Sequence, residues 1–315
     1  MTQQYLRKAT LLLELANQTT GNTALDLSNM QFVFQTQAYY LGTPKNLQLR
    51  VYNISAATAK KITSEGSQVF LSAGYEGNFA QIFKGTIVQS RIGRNGTDSY
   101  LDITATDGDY IYNNTLLNLT IAAGTNALGR LGVIANAAGL TTGSIPKTAS
   151  GGQLHRGKSI FGLARDHLTN LCGTIGANWT IDNGVLDVVE QNAYKDDGTV
   201  PNLNYATGMV GVPEQTDVGI TIKVLLNPNI GVNKKVILDN VIIQQYQFPV
   251  TIGQTAGAEL IPAISADGVY KVLYVTHTGD TRGNEWYTDI VCYSGDVLGN
   301  INTQGKYSTE DRIQN

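Results

Sequence analysis

Two stretches of the sequence repeat one hairpin pattern, and this repeat limits what the chain can fold into. In residues 268–296, apolar residues alternate along two segments that flank the polar turn Gly279-Asp-Thr-Arg-Gly-Asn, as they do in a β-hairpin. Residues 82–109 align with residues 269–296 without a gap, at a shift of 187, with eight identities. The turn glycine and the closing Gly-Asp keep their register. The repeat predicts two related β-domains with a different segment between them.

The gapless alignment also predicts how side chains divide between the two faces of the second hairpin. It matches Val88 with Val275. Strict alternation places Leu273 and Val275 on one face of the first strand, and Tyr270 and Val272 on the other.

The sequence divides into four parts, as expected for 315 residues, which exceed most single cores. We predict an antiparallel β-domain, a barrel or a sandwich, over residues 1–110 and a small α+β insert over 111–195. The second β-domain follows at 196–298, and residues 299–315 form a polar C-terminal arm. The predicted fold class is mainly β, or α+β overall with the insert included.

Periodicity and turn signals predict the individual elements. In the first domain, they are strands at 5–15, 31–38, 45–54 and 69–73, with a helix at 56–62 capped by Ser55. In the insert, they are helices at 126–138 and 159–171, with Gly139 ending the first, and strands at 178–181 and 185–189 joined by Asp182-Asn183-Gly184. In the second domain, they are strands at 208–212, 217–225, 235–240 and 241–250.

Composition excludes some classes of protein. Charged residues make up 15% of the chain and the net charge is -3, which rules out the strongly basic profile of a nucleic-acid binder. Cys172 and Cys292 have no metal-site spacing, and we expect buried, reduced thiols rather than a disulfide. The first residues do not form a signal peptide, and no stretch is long enough to cross a membrane. We therefore expect synthesis in the cytoplasm and no membrane insertion.

The sequence offers no candidate for catalysis, a cofactor or a metal. His155, His167 and His277 lack the neighbours of a metal motif. Residues 139–147 lack the Gly-Lys-Ser/Thr ending of a phosphate loop. The Asp-Gly sequences at 107–109 and 196–198 are better explained as turns than as calcium loops. We predict that the protein is not an enzyme.

Three ordered segments are similar to the baseplate hub proteins of contractile-tailed bacteriophages. Residues 157–189 combine a helix, a Trp strand and an Asn-Gly-x-Leu strand. Residues 207–230 carry a Gly-x-Pro-Glu turn and Leu-Leu-Asn-Pro. Residues 268–293 contain Gly-x-Tyr-Lys-Val, then Gly-Asp-Thr-Arg-Gly and Trp286. The resemblance implies two related tube-like β-barrels, with the α+β insert decorating a ring.

The resemblance also implies a function and partners. Proteins of this family form a homotrimeric ring that joins the hexameric tail tube to the central spike, around the channel through which the phage DNA passes. The expected partners are the tail tube protein, the spike protein and other baseplate proteins, in the baseplate of a virion. The hairpin tips are the candidate partner contacts, through Arg94 and Asn95 in the first hairpin and Asp280 and Arg282 in the second.

Two other functions stay open from the residues alone. Exposed aromatic side chains would let the protein bind carbohydrate, as a receptor-recognition module does; the candidates are Tyr39, Tyr40, Tyr110, Tyr112, Trp179 and Trp286. A pair of converging carboxylates would make it a cell-wall hydrolase, although no pair stands out among so few charges.

Overall fold

The computed structural model describes residues 6–16, 23–146, 152–195, 198, 200–216, 218–245 and 264–294. In this part of the chain, strands far outnumber helices, which confirms the mainly β fold class. The strands are β1 (Arg7–Leu15), β2 (Thr23–Asp26), β3 (Phe32–Tyr39), β4 (Asn46–Tyr52), β5 (Gly66–Tyr75), β6 (Asn78–Asn95), β7 (Asp98–Thr106), β8 (Leu116–Ile121), β9 (Thr141–Thr142), β10 (Lys158–Leu163), β11 (Ala177–Asp182), β12 (Val185–Glu190), β13 (Asn202–Leu203), β14 (Met209–Gln215), β15 (Ile220–Leu225), β16 (Lys235–Leu238), β17 (Val269–Asp280) and β18 (Trp286–Ser294). The helices are α1 (Ala56–Glu65), α2 (Asp109–Asn113), α3 (Ala127–Ala137) and α4 (Ala164–Thr174), with two 3₁₀ turns at Tyr205–Thr207 and Asn240–Ile242.

One large sheet contains both copies of the repeated hairpin. Its strand order is β14-β15-β18-β17-β3-β4-β7-β6-β5-β1-β2, and β16 pairs with both β17 and β13. The pair β17–β3 is the only link between the two halves of this order. The insert has two small sheets of its own, β8–β10 and β9–β12–β11.

The repeat extends beyond the hairpin to a unit of five strands. In the first unit, β3 to β7, the neighbours in the sheet are β3-β4-β7-β6-β5. In the second unit, β14 to β18, they are β14-β15-β18-β17-β16. Each adjacent pair within either unit is antiparallel. The two units therefore have the same connectivity, and the relation that the sequence predicts between the two β-domains extends to all five strands.

A cluster of three side chains occurs once in each unit. In the first, Arg50 pairs with Asp102 at 2.6 Å and lies over the ring of Tyr100 at 4.2 Å. In the second, a lysine replaces the arginine: Lys223 contacts Asp289 at 3.7 Å and the ring of Tyr287 at 4.7 Å. These contacts explain why Tyr-x-Asp is identical in both hairpins, because the aromatic ring and the carboxylate hold a cation on the neighbouring strand.

Both hairpins contain a β-bulge at the same structural position. In the first, Ile87 pairs with Ala105 and Gln89 with Thr104, so Val88 is the extra residue. In the second, Leu273 is the extra residue, between Val272, which pairs with Cys292, and Tyr274, which pairs with Val291. Val88 therefore corresponds to Leu273, and its predicted match with Val275 is wrong.

The second hairpin has the longer tip, which explains the error. Four residues separate the paired Arg94 and Ser99, whereas six separate the paired Gly279 and Trp286. The return strands β7 and β18 stay 187 residues apart, but β6 and β17 correspond at a shift of 185.

The bulge also changes which residues of β17 share a face. An extra residue reverses the alternation of side chains beyond it. Val275 therefore joins Tyr270 and Val272 in the buried cluster of the second unit, while Leu273 packs with Tyr293 on the opposite face. The predicted shared face of Leu273 and Val275 is wrong for this reason.

The insert has its own core and one element that differs from prediction. Helix α3 is confirmed, with the Asn126 side chain capping its N-terminus and Gly139 in a left-handed conformation after it. The predicted helix at 159–171 is wrong in its first part, because residues 158–163 form β10 paired with β8. Gly162 has φ 137, which is not helical. Helix α4 begins at Ala164 and extends to Thr174.

The predicted strand at 241–250 is also wrong where it can be judged. Residues 240–242 form a 3₁₀ turn capped by the side chain of Asp239. Residues 246–250 lie outside the described residues, as does the predicted C-terminal arm at 299–315. The Asp182-Asn183-Gly184 turn is confirmed, with φ 55 at Asn183 and 82 at Gly184.

Two glycine substitutions test the boundary between β10 and α4. We expect Gly162→Ala to destabilise the protein by about 1 kcal/mol or more, because φ 137 strains any residue with a Cβ. Gly173→Ala lies inside α4, where an added Cβ meets no atom within 4 Å, and should stabilise by about 0.5–1 kcal/mol. Thermal unfolding followed by circular dichroism measures both. A gain in stability from Gly162→Ala would indicate helix at this position.

Candidate assembly interfaces

The tip of the first hairpin is open to solvent. Arg94 and Asn95 end β6, both exposed, and β7 begins at Asp98. The Arg94 Nε donates to the Gly96 carbonyl oxygen at 3.0 Å, and Gly96 has the positive φ of 60 that the two-residue turn needs. Both candidate contact residues of this tip are therefore accessible to a partner.

The tip of the second hairpin contacts the first half of the chain. Asp280 ends β17, and its Oδ1 accepts a hydrogen bond from the backbone N–H of Arg282 at 2.9 Å. Arg7 of β1 donates to the carbonyl oxygens of Gly283 at 2.8 Å and Asn284 at 3.0 Å. The side chain of Arg282 is exposed, whereas Asp280 is half-buried.

Neighbouring residues extend this contact into the first core. The backbone N–H of Thr281 donates to the Phe32 carbonyl at 3.1 Å, and the Phe32 N–H donates to Thr281 Oγ1 at 3.0 Å. Trp286 is 1% exposed and belongs to the hydrophobic cluster of the first half. Its ring meets Phe34 edge-on at 5.6 Å, and its Nε1 donates to the Gly74 carbonyl at 3.3 Å.

The structure does not bring the four predicted contact residues together. In the sheet, β3, β4 and β7 lie between β17, which carries Asp280, and β6, which carries Arg94 and Asn95. The sequence analysis did not identify Arg7 or Thr281 as contact residues. No local pattern could have identified them, because each is defined by a partner more than 240 residues away in the chain.

The half of β6 beyond the bulge has an uncovered edge. Strand β5 pairs with β6 only as far as Thr86. Val88 is 55% and Ile92 50% exposed, whereas the corresponding residues of β17, Leu273 and His277, are 7% and 4% exposed. The same structural segment is thus a sheet edge in the first unit and an interior strand in the second.

Charged side chains join the insert to both β-halves. Lys45, at the start of the first sheet, pairs with Asp182 of the insert at 2.8 Å. The buried Lys271 of β17 donates to the carbonyl oxygens of Glu190 at 3.2 Å and Gln191 at 3.1 Å. We call this region the polar junction; it comprises Lys45, Asp107, Asp182, Asp187, Lys195, Lys271 and His277.

Further contacts complete the polar junction around a small cavity. Asp187 accepts a hydrogen bond from the Ser144 backbone N–H at 2.7 Å and pairs with Lys195. Asp107 accepts from the Gly184 backbone N–H at 3.1 Å. The cavity measures about 60 Å³ and is lined by Lys45, Asp182 and His277 among others. Because these charged groups have protein partners, their arrangement is that of a structural contact between parts of the chain.

Burial shifts three pKa values in the polar junction. It lowers the pKa of His277 to about 3, with the Lys45 ammonium adding to the effect. The His277 Nδ1 lies 2.9 Å from Thr288 Oγ1. Burial lowers the pKa of Lys271 to about 8 and raises that of Asp107 to about 6. His277 is therefore neutral in the folded protein at neutral pH.

The remaining predicted residues are placed as follows. Both cysteines are buried free thiols, as predicted, and burial raises the pKa of each. Of the six aromatic candidates for sugar stacking, Tyr112, Trp179 and Trp286 are buried, which corrects their predicted exposure, while Tyr110 is 67% exposed. Within the described ranges, no group of three His, Cys, Asp or Glu could hold a metal ion. Nor does any described helix combine the length and apolar character of a membrane crossing.

The pKa shifts predict how stability depends on pH. His277 takes up a proton near pH 6.5 when unfolded but only near pH 3 when folded, so its contribution is complete above pH 6.5 and is lost as the pH falls towards 3. We expect His277→Gln to flatten the acid loss by up to about 1.4 kcal/mol per pH unit. Urea unfolding between pH 4 and pH 7 measures this slope.

Asp107 provides a control of opposite sign. Its folded pKa of about 6 exceeds the ordinary 3.8, so its contribution is complete below pH 3.8 and is lost as the pH rises through 6. Asp107→Asn removes a term that offsets the acid loss, and the slope between pH 4 and pH 6 should steepen. Equal slopes in both variants and the wild type would contradict the assigned shifts.

The fold resembles two solved phage tail proteins. The 43 kDa tail protein of prophage MuSo2 from Shewanella oneidensis superposes with a TM-score of 0.59 at 8% identity, over 93% of this chain and 98% of that chain. The tail protein from Neisseria meningitidis MC58 gives a TM-score of 0.58 at 9% identity, with the same coverage. At such identities the likeness concerns the fold. No curated protein sequence matches the chain.

The sequence itself matches a family profile over more than half of its length. The profile describes the Baseplate hub gp41 family and matches residues 42–244. That range runs from the start of β4 through the insert and into the second unit. It confirms the resemblance that the sequence motifs indicated. The chain belongs to the Baseplate hub gp41 family.

Proposed function

We propose that three copies of this chain form a ring that joins the hexameric tail tube to the central spike. Membership of the hub family makes the protein a structural component of a phage tail baseplate. The ring would surround the DNA channel of a contractile tail. Its partners would be the tail tube protein, the spike protein and other baseplate proteins, and its synthesis would take place in the host cytoplasm.

The repeated five-strand unit is the observation that carries this proposal. Each chain contains two units with the same strand order. A trimer would therefore present six similar units, which match the six subunits in each ring of the tube. A single unit per chain would leave three attachment positions for six tube subunits.

Charge and chemistry are compatible with a passive channel. The net charge is -3, and a lumen without excess positive charge would let DNA pass without binding its phosphates. A ring of this kind needs no reacting groups, cofactor or metal, and we propose a purely structural role. Carbohydrate binding is less well supported because three of its six candidate aromatics are buried, and no specific observation favours a wall hydrolase.

The solution mass of the full chain tests the ring. We expect multi-angle light scattering to give three times the 33.9 kDa of one chain, either alone or once the spike protein is added. A monomer under both conditions, up to about 100 μM, would contradict the proposal. A dimer would contradict it as well, because a dimer presents four units rather than six.

The exposed hairpin tip residues are proposed contacts with the tube or the spike. Arg282 is exposed and its side chain adds no support to its own loop, which is held by Asp280, Thr281 and Arg7. We expect Arg282→Ala to leave the thermal unfolding midpoint within about 2 °C of wild type. The same change should reduce co-assembly with the tube protein at least fivefold in a pull-down assay.

Lys60 supplies a matched control for this variant. It is an exposed cation on α1, away from either tip. Lys60→Ala should change neither stability nor co-assembly. Equal co-assembly by Arg282→Ala and Lys60→Ala would remove Arg282 from the proposed contact, and unfolding of Arg282→Ala would assign it a structural role instead.

A further inference from the structure

We infer that the uncovered edge of β6, at residues 92–95, binds the 209–212 end of β14 in the next copy of the chain. The inference rests on the proposed ring and names the surfaces that close it. It is drawn from the one junction between units that lies within a single chain, the pair β17–β3.

The junction within the chain shows what covers the corresponding edge. Strand β17 beyond its bulge pairs with β18 on one side and with β3 on the other, through seven antiparallel residue pairs from Tyr274–Tyr39 to Asp280–Val33. Strand β3 is the first strand of the first unit. The second unit therefore uses this edge to bind the leading strand of a neighbouring unit.

The corresponding edge of the first unit has no such neighbour. Shifted by 185 residues, Tyr274 to Asp280 correspond to residues 89–95 of β6. In the part of the chain that the structure describes, this segment pairs with β7 alone. An edge with exposed backbone groups and two half-exposed apolar side chains, Val88 and Ile92, can pair with another strand.

The leading strand of the second unit is the matching surface. Val33 of β3 lies opposite Arg50, and Val210 of β14 lies opposite Lys223. Arg50 and Lys223 are the corresponding cations of the repeated side-chain cluster, so Val210 corresponds to Val33. Val210 and Val212 are 38% and 51% exposed.

A contact already present limits how far the two strands can pair. Gln244 exchanges backbone hydrogen bonds with Pro213 and Gln215 at 2.8 and 2.9 Å, on the side of β14 away from β15. The pairing is therefore confined to the 209–212 end. By analogy with Asp280 opposite Val33, Asn95 lies opposite Val210 of the next copy.

The two surfaces differ, which determines the type of assembly. A contact between unlike patches is head-to-tail, and it closes into a ring when the rotation between copies divides a full turn. If the junction between chains repeats the junction within each chain, every unit is rotated equally from the last. Six units then close the ring with three chains.

Engineered cysteines test the predicted pair directly. Asn95→Cys with Val210→Cys in one chain should give disulfide-linked dimers and trimers on a denaturing gel after mild oxidation, since paired cross-strand residues lie within disulfide range. The native Cys172 and Cys292 are buried and free, so their contribution to the background is small. Asn95→Cys with Val133→Cys is the control, because Val133 on α3 is 39% exposed, as much as Val210.

A second variant tests the same edge without oxidation. We expect Ile92→Lys to weaken self-association at least tenfold, because it places a charge where the next copy would pack. Val133→Lys should leave self-association unchanged. Circular dichroism should show native structure in both, as both side chains are partly exposed.

The outcomes separate this inference from the proposed ring. The measurements use the full chain in the state, alone or with spike, that gives the trimer mass. A trimer with cross-links only in the Asn95–Val210 variant supports both. A trimer that lacks these cross-links, forms them equally in the control or tolerates Ile92→Lys would overturn the β6–β14 contact and leave the ring intact. A monomer in both states overturns both.

Discussion

The pairing of β17 with β3 is the interaction on which the arrangement of the whole chain depends. It joins two otherwise separate five-strand units into one sheet, across more than 230 residues of sequence. Trp286 adds to this pairing by entering the core of the first half, where it is 1% exposed and packs on Phe34. A large aromatic side chain buried in this way contributes several kcal/mol. The two units are thereby held in one geometry rather than on a flexible linker.

The same half-strand serves two purposes in the two units. In the second unit it is an interior strand whose residues are buried, and in the first it is an edge whose residues are exposed. Long uncovered edges are a hazard for a soluble protein, because they pair with any other chain. A repeated unit that uses this edge within the chain would use the second copy of it between chains, so the exposure is consistent with assembly.

The polar junction attaches the insert to both halves by a different means. Lys45, Lys271 and Asp187 are all less than 10% exposed, and removing such charges from water costs more than one ordinary hydrogen bond returns. Their partners are specific: a carboxylate for Lys45 and two backbone carbonyls for Lys271. The junction therefore defines where the insert sits more than it adds to stability. Since charges make up only 15% of the chain, their concentration here is informative.

Sequence reasoning identified the elements whose signals are local. The strand alternation of β4, the capped helices α1 and α3 and the Asn-Gly turn at Asn183 are all recorded within a few adjacent residues. It failed where a distant partner decides. Residues 158–163 form a strand because β8 lies beside them, although their apolar spacing also suits a helix.

The sequence by itself determined the mainly β class, the repeat and the hub family, because alternation, turn residues and Tyr-x-Asp identities need no knowledge of three-dimensional contacts. Only the tertiary structure decided that the outgoing strands match at 185 rather than 187, and that Leu273 and Val275 face opposite ways. It also decided which hairpin tip is docked and which is free. The physical reason is that a bulge, a loop two residues longer and a strand pairing across the chain are properties of partners. They leave no mark on the periodicity of either strand.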